Sequence, residues 1–137
     1  MIEVQVSQVS GVKFVVTART HTVVCDQPQE NGGDDTGMTP PEFLLASLGT
    51  CAGFYAAEYL RTRGLASEDL EVRVTAEKAK APARLSSFQI SVTVPNLDPE
   101  HEAGVLRAVK ACLIHNTLVH PPAIEITLDT RVPATIG

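Results

Sequence analysis

Apolar and polar positions divide the chain into segments of different period. Ile2 to Val6 and Val12 to Ala18 alternate, with a break at Ser10-Gly11, and Thr22 to Cys25 resume the alternation after another turn. Period-two runs separated by turn residues predict a small antiparallel meander. From Asp26 to Met38 the chain is polar and rich in glycine, which predicts a loop. The pattern then changes completely. Between Phe43 and Ala57 no residue is charged, and Leu44, Leu45, Leu48, Cys51, Ala52, Phe54, Tyr55, Ala56 and Tyr59 cover nearly every direction about a helical axis. A surface helix would keep a polar stripe, so Thr39 to Leu65 is predicted to be one long helix buried on most of its circumference.

The ends of that helix are written in its sequence. Thr39 and Glu42 form an S/T-x-x-E capping box, and Pro40 sits where the amide would be unpaired anyway. Arg61 and Arg63 favour the last turn, and Gly64 supplies the left-handed stop. Gly49 and Gly53 are expected to open a notch for a closely approaching backbone, with Cys51 in its middle.

Beyond the helix, Leu70, Val72, Val74 and Ala76 alternate with polar residues, and Phe88, Ile90, Val92 and Val94 do so after a charged turn around Ala79 to Arg84. These predict a hairpin of two half-buried strands. Asp98-Pro99 opens a second helix with Val105, Ala108, Val109, Cys112 and Leu113 on its apolar face, so Cys112 should point inward. After Pro121-Pro122, the alternation of Ile124, Ile126 and Leu128 predicts a last strand. The expected order is β-β-β-α-β-β-α-β, an α+β fold in one domain spanning residues 1–137.

Composition narrows the function. A formal charge of −5, from 11 basic and 16 acidic residues without a basic cluster, argues against nucleic acid as a partner. The apolar run resembles a membrane span but is bounded by two prolines and by Glu58 and Arg61, short of the roughly 20 residues a span needs. A buried core helix and no membrane association are therefore expected. No basic segment followed by an apolar one stands at the amino terminus, so a cytoplasmic location is expected. One subunit of 137 residues has too few elements to cover a helix apolar all round, which predicts a homodimer. The glycine-bearing loop lacks a following GK[ST] and carries Asp34 and Asp35, which would repel a phosphate. Three widely spaced cysteines form no disulfide framework, leaving metal, redox or core roles. A metal set of Cys51, Cys112, His115 and His120 has a single Cys-x-x-His pair and no second close pair, so no metal is expected.

Three stretches carry a family resemblance. CDQPQENGG (Cys25 to Gly33), GMTPPEFLLASLGTC (Gly37 to Cys51) and KACLIHNTL (Lys110 to Leu118) resemble the signature segments of the osmotically inducible protein C superfamily, OsmC, which includes the organic hydroperoxide resistance proteins. The resemblance implies an intimately paired homodimer with the central helices buried between subunits and a thiol peroxidase site at their interface. It implies organic hydroperoxides as substrates, no bound cofactor, and recharging by an external dithiol such as a lipoylated protein. By motif, Cys51 matches the peroxide-attacking cysteine and Cys112 the resolving one.

The chemistry is consistent with these roles. A thiolate cleaves the O–O bond to give a sulfenic acid, and a second thiol condenses with it. An ordinary thiol with a pKa of about 8.5 is only slightly ionised at neutral pH and benefits from a cation nearby. The family supplies an Arg from the N-terminal half and a Glu before the helix. Arg19 is the one arginine upstream of the helix, whereas Pro41 occupies the Glu position. Glu42 lies nine positions before Cys51 (51 − 42), half a helical turn out of phase, so it reads as the capping glutamate. Cys25, beside Asp26, reads as incidental. The alternative to an enzyme is a non-catalytic dimer of the same family holding a small hydrophobic ligand in the interface cleft around Leu48, Phe54 and Tyr55.

Overall fold

A computed structural model describes residues 1–131. The meander is present as β1 (Gln5–Ser10), β2 (Lys13–Ala18) and β3 (His21–Cys25), an antiparallel sheet in that order with β2 in the middle. Every residue of β1 is exposed, so this sheet leaves apolar side chains such as Val6 and Val23 in solvent.

The long helix α1 runs Pro40–Thr62. Both halves of its capping box form: Glu42 accepts from the Thr39 amide at 2.9 Å, and the Thr39 hydroxyl faces the Glu42 amide at 3.5 Å. At the other end Gly64, at φ 66°, lets its own N–H reach the Arg61 carbonyl and the Leu65 N–H reach the Leu60 carbonyl at 2.9 Å. This paired closure is the Schellman arrangement, and it folds Leu65 back onto the cluster around Leu60.

Two more strands, β4 (Glu71–Ala79) and β5 (Arg84–Thr93), form the expected hairpin. Its register shifts after Glu77, a bulge that precedes the tip. The alternation puts Val72, Val74, Phe88, Ile90 and Val92 on one face, and that face packs on α1. Gly49 and Gly53 make the close approach feasible: a Cβ at Gly49 would come within 3.0 Å of a Val74 methyl, and one at Gly53 within 3.5 Å of a Val72 methyl. The expected notch therefore exists and is filled by β4. A stripe one turn apart, Leu48, Ala52, Ala56 and Leu60, is fully buried beside it.

The sequence expectation departs from the fold at three places. The second helix is two helices, α2 (Glu102–Lys110) and α3 (Leu113–Val119). At the break Cys112 is extended, at φ −56° and ψ 132°, with its N–H on the Val109 carbonyl at 3.1 Å and its carbonyl receiving the Asn116 N–H at 3.0 Å. The anticipated last strand does not form among the described residues: Ile124, Ile126 and Leu128 are 81, 90 and 88 % exposed, because an extended segment becomes a strand only when paired and this one lies on none of the open edges of the two sheets. Finally, α1 is not enclosed by the described residues. The hairpin, α2 and α3 cover one side, and Phe54 on the other is 60 % exposed. By length and composition alone α1 could cross a membrane, yet its buried stripe packs against protein.

Candidate active site

The structure brings the two helix cysteines together. Cys51 projects from the middle of α1 and is half-buried, whereas Cys112, at the α2–α3 break, is completely buried. Both are free thiols. Cys51 is two positions from each of Gly49 and Gly53, which turns it about 160° away from the glycine notch, since successive helical residues advance by about 100°. It therefore faces α3 and not β4, in contrast to the expected position inside the notch. The inward position of Cys112 holds, but the kink and not a continuous helical face produces it.

Electrostatics bears on the inner thiol. Burial pushes the Cys112 thiol up from its ordinary pKa, and the neighbouring Cys51 thiol raises it further, while the amides of His115 and Ile114 pull the other way. Cys112, the more deeply buried of the two, is thus held in its protonated form.

A hollow of about 450 Å³ lies between α1 and α3, lined by Tyr55, Ala111, Leu113, Asn116, Thr117 and His120. Ala111 and Leu113 are the chain neighbours of Cys112, and Tyr55 is one helical turn beyond Cys51, while neither sulfur lines the hollow. His120 Nδ1 lies 3.1 Å from the Asn116 carbonyl and His115 Nδ1 3.1 Å from the Lys110 carbonyl. Another hollow, of about 430 Å³, follows Gly49, Gly53 and β4 on the side of α1 remote from the thiols.

The remaining expected residues lie apart from this pair. Arg19 occupies the exposed two-residue turn between β2 and β3, with a left-handed φ of 55°. None of the hydrogen bonds or ion pairs among the described residues joins it to α1, α2 or α3. Glu42 is held in the capping box, and Thr39 keeps its carboxyl below the usual range. Leu48 is buried while Phe54 is exposed and stacks edge-on against Tyr55 at 5.5 Å, so the three residues expected to share a ligand cleft do not share one. Among the described residues no group of three or more His, Cys, Asp or Glu could hold a metal ion.

Sequence reasoning passed over Asp26. Its carboxylate is buried and accepts from the Thr36 hydroxyl at 2.7 Å, the Thr36 amide at 3.0 Å, the Gln27 amide at 2.8 Å and the Asp34 amide at 3.2 Å. It ties the whole loop between β3 and α1 to one point, and Gly33 and Gly37 lie too close to the Gln27 and Val24 carbonyls to carry a Cβ. The Thr36 hydroxyl first, then the amides, hold the Asp26 pKa at about 2, against an ordinary 3.8, outweighing the opposing effect of burial. A depressed carboxylate pKa contributes stability that is complete above the unfolded value and is lost as pH falls through the folded one. Protection of the Asp34 and Thr36 amides from hydrogen exchange is therefore expected to hold at pH 5 and to collapse towards pH 2. Unchanged protection factors across that range would show that the carboxylate does not hold the loop.

Comparison with known proteins fixes the family. A family model described as OsmC-like protein matches residues 32–127, and the chain belongs to that family. Solved structures share the fold at low identity. An OsmC-like protein from Mycoplasma pneumoniae superposes with a TM-score of 0.75 at 17 % identity, over 88 % of this chain and 89 % of that one. An organic hydroperoxide resistance protein OsmC from Legionella pneumophila gives 0.67 at 17 % identity, over 86 % and 88 %. A protein from Psychrobacter arcticus 273-4, provisionally named for osmotic stress induction and detoxification, gives 0.78 at 19 % identity, over 85 % and 88 %. No curated protein sequence matches the chain.

Proposed function

We propose that the protein is a cysteine-based peroxidase that reduces organic hydroperoxides by a two-cysteine mechanism. The observation that carries this reading is the nearness of two free thiols, one half-buried on α1 and one fully buried at the α2–α3 break, with a hollow lined by Tyr55, Ala111 and Leu113 close by in the chain. Cys51, the more accessible, attacks the peroxide, and Cys112 resolves the sulfenic acid as a disulfide. Membership of the OsmC family, and relatives named for organic hydroperoxide resistance, support the same choice. No cofactor is required, because the oxidant is the substrate and an external dithiol, such as a lipoylated protein, returns the electrons. Three free cysteines suit a reducing compartment, and we place the protein in the cytoplasm.

The working form in this reading is a homodimer. The open side of α1, the bare face of the first sheet and the unpaired Ile124, Ile126 and Leu128 leave more apolar surface exposed than a stable monomer normally shows. Arg19, unconnected to the helices of its own chain, is then the cation that one subunit offers to the Cys51 thiolate of the other. The test is consumption of cumene or tert-butyl hydroperoxide by pure protein with a dithiol present. Turnover by a species twice 14.6 kDa in light scattering is expected. Silence with both thiols intact and reduced would leave a non-catalytic ligand-binding dimer.

A further inference from the structure

We propose that Tyr59 is a positioning residue for the second chemical step: its bond to His101, seated on Gly104, fixes where α2 lies along α1 and so keeps Cys112 placed to close a disulfide with Cys51. This rests on the reading of the two thiols as a peroxidase pair. It concerns the step in which the Cys112 thiol attacks the Cys51 sulfenic acid. There the S–S bond forms, the S–O bond breaks, and the departing hydroxide takes the thiol proton and leaves as water. That step tolerates little misplacement, since a disulfide closes only with Cα atoms about 4.4–6.8 Å apart.

The seat is closely built. The Tyr59 hydroxyl and His101 Nδ1 share a hydrogen bond of 3.1 Å, and the two rings meet edge to face with centroids 6.0 Å apart. Glu100 Oε1, 3.4 Å from His101 Nε2, favours the ring proton on that nitrogen and leaves Nδ1 to accept from the hydroxyl. The Arg63 guanidinium lies over the Tyr59 ring, 3.6 Å from its centroid, and steadies it from the α1 side. On the α2 side a Cβ at Gly104 would overlap the Tyr59 hydroxyl and ring carbons, so only glycine lets the ring lie against that backbone.

Spacing connects this seat to the thiols. Tyr59 stands eight positions after Cys51 (59 − 51) and Gly104 eight before Cys112 (112 − 104), so seat and thiols occupy the two ends of one antiparallel register. Between them Val105 shares a buried cluster with Ala56 and Leu60, and Val109 packs against it. Cys112 moves with α2, because its N–H is bonded to the Val109 carbonyl at 3.1 Å. Apolar contact is not directional and sets no position along a helix axis by itself. A slide of one turn, about 5.4 Å, would carry Cys112 out of disulfide range. Among the described residues no other side-chain hydrogen bond or ion pair joins α1 to α2 or α3, so the register rests on Tyr59, His101 and Gly104.

Single-turnover quenching of the whole protein, with one equivalent of cumene hydroperoxide and no reductant, reads the two steps apart. Dimedone capture marks the sulfenic acid, and loss of two hydrogens in the intact mass marks closure. Tyr59→Phe keeps the ring under Arg63 and loses only the hydroxyl. It should slow closure about tenfold while the sulfenic acid forms within about twofold of the wild-type rate. His101→Leu should match it, and the double variant should be no slower than either, because all three lose one and the same bond. His101→Asn, which keeps a polar atom near the place of Nδ1, should bring closure back to within about threefold of wild type. Closure at the wild-type rate in Tyr59→Phe and His101→Leu would overturn the proposal, as would equal slowing of both steps or slowing that simply multiplies in the double variant. A wild-type protein that forms no sulfenic acid would overturn the peroxidase reading itself, and this role with it.

Discussion

Cys51→Ser is expected to abolish hydroperoxide turnover, reducing it by at least about 1,000-fold, because a serine hydroxyl is not ionised at neutral pH and cannot open an O–O bond. The same variant separates the two thiols. If Cys51 is the point of attack, Cys112 in Cys51→Ser stays reduced at low peroxide, since it is fully buried and burial favours its protonated form. Intact-protein mass spectrometry after one equivalent of cumene hydroperoxide checks this. Oxidation of Cys112 in that variant, at a rate comparable to the wild type, would reverse the assignment of roles.

The second large effect is expected in Cys112→Ser. Steady-state turnover with a dithiol should fall steeply, because no neighbouring thiol closes the disulfide that the reductant recognises. The sulfenic acid itself still forms on Cys51 and is captured by dimedone. Under excess peroxide it should advance to the sulfinic acid, a mass gain that wild-type protein avoids by condensing first. Wild-type turnover in this variant would mean that Cys112 is a core residue and that some other group completes the cycle.

Much of this site is legible in the sequence where the determinants are local. Thr39, Pro40 and Glu42 fix the start of α1, and Gly64 fixes its end, through bonds that span a few positions, so pattern reading finds them. The alternation of Val72, Val74, Ile90 and Val92 likewise identifies the hairpin and its inner face. The kink at Cys112 is less visible. Spacings of three, four and seven run through Cys112 and Leu113 as though the helix continued, and no glycine or proline marks the break. Hence the thiol's burial is foreseen and the extended backbone that aims it is not.

Other features escape because their partners are distant. Asp26 sits next to a cysteine in a polar loop and looks like surface; its role depends on amides eight and ten positions ahead, at Asp34 and Thr36, turning back onto it. The pattern at Ile124, Ile126 and Leu128 has strand period, but a strand also needs an edge, and no period in the chain says who provides it. The direction of Cys51 relative to Gly49 and Gly53 was available from helical phase alone, since residues two apart lie on opposed faces. Arg19 stands differently: its exposed turn shows where the guanidinium starts, and the dimer proposed above supplies where it ends.

The central claim, that Cys51 and Cys112 are a peroxide-reactive pair, is tested most directly by peptide mapping without reductant after the reduced protein meets one equivalent of cumene hydroperoxide. The account predicts a single new disulfide joining the peptides that contain Cys51 and Cys112, a loss of two hydrogens, and an unmodified Cys25. A protein whose three cysteines all remain reduced while the peroxide persists, or whose oxidation falls on Cys25, would contradict it.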